Sequence, residues 1–272
     1  MLSLSSRPMP LDQAYGLRQL FARPQLLCIP LVSNPHVPFG GVILERLCAA
    51  FTMLGKKTLV IDAAEHSPDP HEIADIDLGA SVEALSSDVF YLAARGLPLR
   101  WVNASGSTAP FLEAAAQAVP QAEVALVHAN ALEMCRLFGH STARSLLMAD
   151  DHPISVTHSY AAMKMLTQRA GLKIFDVLLC IESRSPRAGR IASQLARCAD
   201  DFFGGIVREC IQIDPAYAAQ DMPTPELLRW AYLALHALET DKGISSAGGT
   251  MRLNAAESHC DGFSALPCPA MN

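Results

Sequence analysis

The hydrophobic positions of this chain fall into short continuous runs separated by longer stretches of helical period. Residues 26–32, 57–62, 123–128, 144–149, 173–181 and 205–211 are apolar runs bounded by turn formers. Such runs read as strands buried on both faces. Between them, residues 42–54, 110–119, 153–170, 185–199 and 225–239 read as helices. Pro110, Pro153 and Pro225 stand in first turns, where a missing N–H costs nothing, and Gly55 suits a helix C-terminus. Residues 81–94 and 215–219 read as further helices, 99–103 as a strand and 63–79 as an acidic loop. At the start, residues 11–23 form an amphipathic helix with Leu11, Ala14, Leu17, Leu20 and Phe21 along one stripe, ended by Pro24. The alternation predicts an α/β protein: a doubly wound, mostly parallel sheet in a domain spanning 25–240. Residues 1–24 carry the N-terminal helix. Residues 241–272 turn to Gly, Ser, Ala and Pro without period, which predicts a disordered tail.

Composition narrows the class. The chain has 272 residues, half of them hydrophobic, enough for one sizeable core. A net charge of −6 leaves no broad footprint for nucleic acid. The eight cysteines (Cys28, Cys48, Cys135, Cys180, Cys198, Cys210, Cys260 and Cys268) make no C-x-x-C pair. They read as reduced, mostly buried thiols of a cytoplasmic protein. The first ten residues hold no apolar signal segment, and no window approaches the ~20 apolar residues of a membrane span.

The informative segment is Ser33-Asn34-Pro35-His36-Val37-Pro38-Phe39-Gly40-Gly41, between the first strand and its helix. In nucleotide-binding α/β proteins that position cradles a triphosphate on backbone N–H groups, a lysine and a hydroxyl. Here there is no lysine, and two prolines remove amide donors.

From residue 26 to about 239 the chain resembles the MinD/ParA-like P-loop ATPases. The stretch Gly55-Lys56-Lys57-Thr58-Leu59-Val60-Ile61-Asp62 is similar to the one that follows their P-loop helix. The stretch His152-Pro153-Ile154-Ser155-Val156-Thr157-His158-Ser159-Tyr160 is similar to their Pro-x-Ser-x-Thr-Asp-x-Tyr segment. Ahead of it, Asp12-Gln13-Ala14-Tyr15-Gly16-Leu17-Arg18 is similar to the Asp-Gln-Ala-x-x-Leu-Arg helix of the FlhG (FleN) flagellar number regulators. The resemblance implies docking on FlhF, a signal-recognition-type GTPase, with Asp12, Gln13, Ala14, Leu17 and Arg18 as the contact residues. It also implies contacts with flagellar basal-body or regulatory proteins, and a place at the cell pole or inner membrane surface. The same helix packed on its own domain is an equally coherent reading of the apolar stripe.

The family's loop is Lys-Gly-Gly-Val-Gly-Lys-Thr. Counting back from Gly55 puts its last three residues on Phe39, Gly40 and Gly41 and its first lysine on Pro35. A second register matches its double glycine to Gly40 and Gly41, puts Lys-Thr on Leu44 and Glu45, and shortens the helix by about one turn. In both, lysine and hydroxyl are missing. Asp62 is followed by Ala63 and Ala64 where the family has Asp-x-Asp. His128 stands where the later switch aspartate belongs. This predicts a degenerate nucleotide site (Pro35, Phe39, Gly40, Gly41, Asp62, His128) and a pseudo-ATPase that needs no cofactor. Nucleotide held weakly by remaining amides and the helix N-terminus stays open, as do a working ATPase with a non-standard loop and a polar or division-site scaffold.

Other clusters carry blander expectations. His66 and His71 read as solvated loop residues rather than metal ligands. His128 reads as a hydrogen-bonded structural histidine. Arg184, Arg187, Arg190 and Arg197 read as a solvated helix face. The 225–239 helix reads as a packed core helix, with a weak membrane contact left open.

Overall fold

The computed structural model describes residues 26–139, 141–182, 185–214, 216 and 222–247, with side chains described as far as His236. Its eight strands are β1 (Leu27–Val32), β2 (Thr58–Asp62), β3 (Glu83–Ala84), β4 (Val89–Ala93), β5 (Val124–Ala129), β6 (Ser145–Ala149), β7 (Ile174–Cys180) and β8 (Ile206–Ile213). They form one sheet in the order β3-β4-β2-β5-β1-β6-β7-β8. Every pair is parallel except the β3/β4 hairpin at one edge. The helices are α1 (Gly40–Met53), α2 (Pro110–Ala118), α3 (Ala131–Phe138), α4 (Pro153–Met165), α5 (Ala188–Phe203) and α6 (Pro225–Ala247). The expected doubly wound α/β architecture is present.

The two sheet faces are covered unequally. One carries α2, α3, α4 and α5, packed through Phe111, Met134, Leu137, Met163 and Leu195. The other carries α1 and α6, through Ile43, Leu47, Phe51, Leu227 and Trp230. The α6 helix is a core helix as expected: Leu227, Trp230 and Ala231 are buried, and Trp230 meets Phe51 edge-on. Trp230 also donates its Nε1–H to Asp176 Oδ2 at 2.9 Å. Asp176, on β7, accepts from the Arg144 guanidinium and from Glu209 N–H as well. Burial still outweighs these partners and holds the Asp176 carboxyl above its ordinary range.

Local expectations fail in four places. Residues 81–94 are a hairpin, not a helix. Ser86 Oγ accepts from the N–H groups of Asp88 and Val89, closing a turn, and Val-Phe-Tyr-Leu-Ala then extends as β4. Residues 99–103 are not a strand. Gly96, at φ 70°, turns the chain into a 3₁₀ turn over Leu97–Trp101 with Pro98 at its start. The α3 helix escaped notice because it is short; Asn130 caps it by accepting from Glu133 N–H. Finally, α6 continues through residue 240 to Ala247, beyond the expected domain edge. The α4 helix ends at Met165, and a π-helical turn, Leu166–Ala170, completes the predicted 153–170 stretch. The expected helix at 215–219 and the tail beyond 247 lie outside the described residues.

Six cysteines are described and all are free. Burial pushes the thiols of Cys28 and Cys210 up to about 11 and those of Cys48 and Cys180 up to about 12, which keeps them protonated. Among the described residues no helix is long and apolar enough to cross a membrane.

Candidate functional site: the cradle at the carboxyl end of β1

In an open α/β sheet, ligands bind beyond the carboxyl ends of strands at the point where strand order reverses. Here that point is β1, flanked by β5 and β6. The chain leaves β1 with Ser33 N–H on the carbonyl of Ala129, and then turns at Asn34. Asn34 is buried and its side chain crosses to α4. Nδ2 lies 3.0–3.1 Å from Met148 O, Ser155 O, Ser155 Oγ and Ser159 Oγ. Oδ1 accepts from His36 N–H at 3.1 Å. The loop is thus pinned to the domain by neutral hydrogen bonds from its own side chain. Ser155 and Ser159, from the family-like segment, serve as its anchors. Ser155 Oγ also accepts from Asp150 N–H at 3.0 Å, and Ser159 lies within 2.8 Å of Met148 O.

Asp62 ends β2 and His128 lies beside it on β5. Asp62 Oδ1 accepts from His128 Nδ1 at 2.9 Å, and Oδ2 accepts from Tyr91 Oη at 3.0 Å. Burial first, then the Asp62 carboxylate, pushes the Tyr91 phenol up, so it remains a donor. The carboxylate fixes the imidazole with its Nδ1 proton inward, and the buried Nε2 has no hydrogen-bond partner among the described residues. His128 is therefore hydrogen-bonded, as expected. Tyr91 was missed because its segment read as helix; the β-branched and aromatic content of residues 89–92 was the available signal.

These residues enclose a cavity of about 450 Å³, lined by Ser33, Asn34, Gly40, Gly41, Asp62 and His128 among others. Pro35 lines it too, so five of the six predicted degenerate-site residues meet there. Phe39 does not line it. It stands at the start of α1 in the left-handed region, φ 62° and ψ 37°, with its ring 65% exposed. The α1 helix starts at Gly40 and runs fourteen residues, without the one-turn shortening that the second register calls for. In the first register Gly40 stands against the family's lysine and Gly41 against its hydroxyl residue. A Cβ on either would meet no atom within 4 Å. Both positions open on free space.

Among the described residues no lysine or arginine lines the cavity, whereas Asp62 and Glu65 do. A triphosphate with Mg²⁺ needs cations at its β- and γ-oxygens and a hydroxyl on the metal at the helix start. The lining residues do not fit that group.

Comparison with known proteins starts from solved structures. A ParA family ATPase from Chlorobium tepidum TLS superposes with a TM-score of 0.53 at 12% identity, covering 76% of this chain and 98% of its own. Apo McdA from Cyanothece gives 0.54 at 14% identity, over 77% and 99%. The fold is that of the MinD/ParA-type ATPases. A further match is cobyrinic acid a,c-diamide synthase from Mycobacterium smegmatis with bound ADP and magnesium, at 0.54 and 13% identity over 79% and 96%. No family model matches the chain, and no curated protein matches it in sequence.

Seen as a MinD/ParA-type fold, the remaining candidates sort simply. The N-terminal motif Asp12, Gln13, Ala14, Leu17 and Arg18 lies outside the described residues, as does Arg184. Arg187 pairs with Asp151 at 3.0 Å, and Arg190 and Arg197 are exposed on α5. His66 and His71 are exposed, and His71 Nδ1 accepts from Ile73 N–H to cap a 3₁₀ turn. Among the described residues no group of three or more metal-ligating side chains converges. His158, on α4, meets His36 edge-on at 5.7 Å; burial, then His36, lowers its pKa.

Proposed function

We propose that this chain is a MinD/ParA-fold regulator that does not hydrolyse ATP and works through protein contacts, setting flagellar number and placement. One observation carries the first half: among the described residues the cavity is lined by the Asp62 and Glu65 carboxylates and by no lysine or arginine. Phosphoryl transfer depends almost wholly on placed charge, and one missing charge-stabilising group costs about 3–4 kcal/mol of barrier. Asn34 also holds the loop without help from a phosphate.

The second half is supported by the Asp12–Arg18 motif ahead of β1. A glutamine can orient an attacking water and an arginine can offset developing phosphate charge, so Gln13 and Arg18 suit a helix that stimulates an FlhF-type GTPase. Without a nucleotide cycle the protein binds its partners constitutively.

Calorimetric titration with ATP and Mg²⁺ tests the first half. The expected result is no binding in the micromolar range and no ATP-dependent dimer in light scattering; micromolar binding with turnover overturns it. For the second, Gln13→Ala with Arg18→Ala is expected to abolish stimulation of the GTPase partner while leaving the thermal melt unchanged. Full stimulation by that variant removes the assignment.

A further inference from the structure

Among the described residues, α1 and α6 leave a strip of the sheet over β2 and β4 uncovered, and a groove of about 730 Å³ runs there. Val60 of β2 and Val89 and Tyr91 of β4 form its floor. Cys48 and Met53 of α1 stand on one side and Leu85 of the β3/β4 hairpin on the other. Met53 and Leu85 are 44% and 56% exposed, large apolar side chains beside an open trough. A hollow of this size and lining suits a small organic molecule. One end of the groove shares Gly41, Leu44 and Asp62 with the 450 Å³ cavity beyond β1, so Asp62 borders both hollows.

Asp62 is the odd member of this apolar trough. It is 8% exposed, and its oxygens accept from Tyr91 Oη and His128 Nδ1 with no lysine or arginine beside it. A carboxylate buried so far is ordinarily paired with a cation, as Asp176 is with Arg144. Further acids surround the same spot. Glu45 lines the groove, and its charge acts, after burial, on the neighbouring Cys48 thiol. Glu83 stands opposite Tyr91 in the hairpin register and adds its charge at that phenol, after burial and Asp62. Among the described residues no lysine or arginine lines the groove. The opposing field is the start of α1, worth about half a positive charge. The Asp62 and Glu45 carboxylates outweigh it.

We infer that the groove binds a small organic cation with an apolar body, an alkyl- or arylalkyl-ammonium, its head at Asp62 and its body along α1 over Val60 and Val89. Asp62 Oδ2 accepts from Tyr91 alone among the described residues and keeps a lone pair for an ammonium N–H. The Tyr91 ring on the floor adds the aromatic surface that a cation favours. A bare metal ion is a poorer occupant, because no group of three or more metal-ligating side chains converges among the described residues. A neutral apolar molecule would leave Asp62 unpaired, and an anion would meet Asp62, Glu45 and Glu83 together. The inference does not rest on the flagellar contacts proposed above and stands with or without them.

The test is calorimetric titration of the full chain with probes that share one tail and differ in the head: octylamine, octanol and octanoate, each kept monomeric. Octylamine should bind about tenfold tighter than octanol, the worth of one charge-assisted hydrogen bond, and octanoate more weakly than either. Asp62→Asn should remove that tenfold advantage and leave octanol binding unchanged. Because Asp62 also holds Tyr91 and His128, the exposed Glu45→Gln gives a second arm. It should weaken octylamine about threefold with an unchanged thermal melt. Ala49→Phe, a larger side chain on the α1 wall, should block octylamine and octanol alike. Equal binding of amine and alcohol, tighter binding of octanoate, octylamine binding unmoved by the Glu45 or Ala49 variant, or no octylamine binding at all overturns the inference.

Discussion

Two carboxylates lie inside this sheet in opposite surroundings. Asp176 sits 1% exposed on β7, and its three donors include the Arg144 guanidinium. Asp62 sits at the carboxyl end of β2 with Tyr91 and His128 as donors, no cation, and a cavity in front of it. The first is a closed ion pair that ties β7 to Arg144 at the start of β6 and to Trp230 on α6. The second is held by neutral donors and faces a cavity that no described lysine or arginine lines. The contrast separates a buried carboxylate that holds elements together from one that borders open space.

Removing each carboxylate sharpens the contrast most. Asp176→Ala strands the Arg144 guanidinium and the Trp230 N–H in the core and should cost about 3–5 kcal/mol in denaturant unfolding. Asp62→Ala leaves Tyr91 and His128 beside a cavity that water can enter, so about 1–2 kcal/mol is expected. Equal losses would mean that Asp62 is as much a structural anchor as Asp176. Trp230→Phe keeps the ring packing and deletes one hydrogen bond to the carboxylate. It should fall between the two, at about 1.5–3 kcal/mol.

The cradle should also announce itself through pH. His158 lies against His36 under the loop, and burial lowers its pKa in the folded state. A base whose folded pKa is depressed contributes stability above its unfolded pKa, ordinarily about 6.5, and loses it as pH falls from there. Unfolding midpoints should therefore drop as pH falls below about 6.5, and His158→Gln should flatten that slope. Asp176 works in the other sense. Its raised pKa gives a contribution present at low pH and lost as pH rises, so an unaltered slope in His158→Gln would point away from the cradle.

Much of this arrangement was legible in the sequence. The six core strands and the helices after them follow from apolar run length and proline position, because a parallel sheet buried on both faces writes itself as continuous hydrophobic stretches. Asp62, His128, Gly40 and Gly41 could be placed together because a strand–loop–helix fixes where the cavity beyond β1 opens. What stayed hidden depends on contacts distant in sequence. Asn34 meets Ser155 and Ser159 more than a hundred residues away, and nothing local marks it as a clasp. Tyr91 needed the hairpin, which a helix-length apolar stretch concealed. The uneven covering of the two faces, and hence the groove beside α1, is a property of packing alone.

The smallest effect probes why the loop keeps its shape. Phe39 is a bulky residue in the left-handed region, where a side chain costs about 1–2 kcal/mol. Its ring is largely exposed, so little burial offsets that cost. Phe39→Gly relieves the strain and gives back about 0.5–1 kcal/mol in unfolded-chain entropy. A net gain of about 0.5 kcal/mol is expected, a rise in Tm of about 1–2 °C. A strained position survives only where its surroundings hold it. Here the Asn34 clasp behind and the first turn of α1 ahead, with Val42 N–H on the Phe39 carbonyl, do the holding. A loss of stability on Phe39→Gly would show instead that the ring has a packing partner of its own. The cradle would then be a surface built for contact, and the parallel with the closed Asp176 site would replace the contrast.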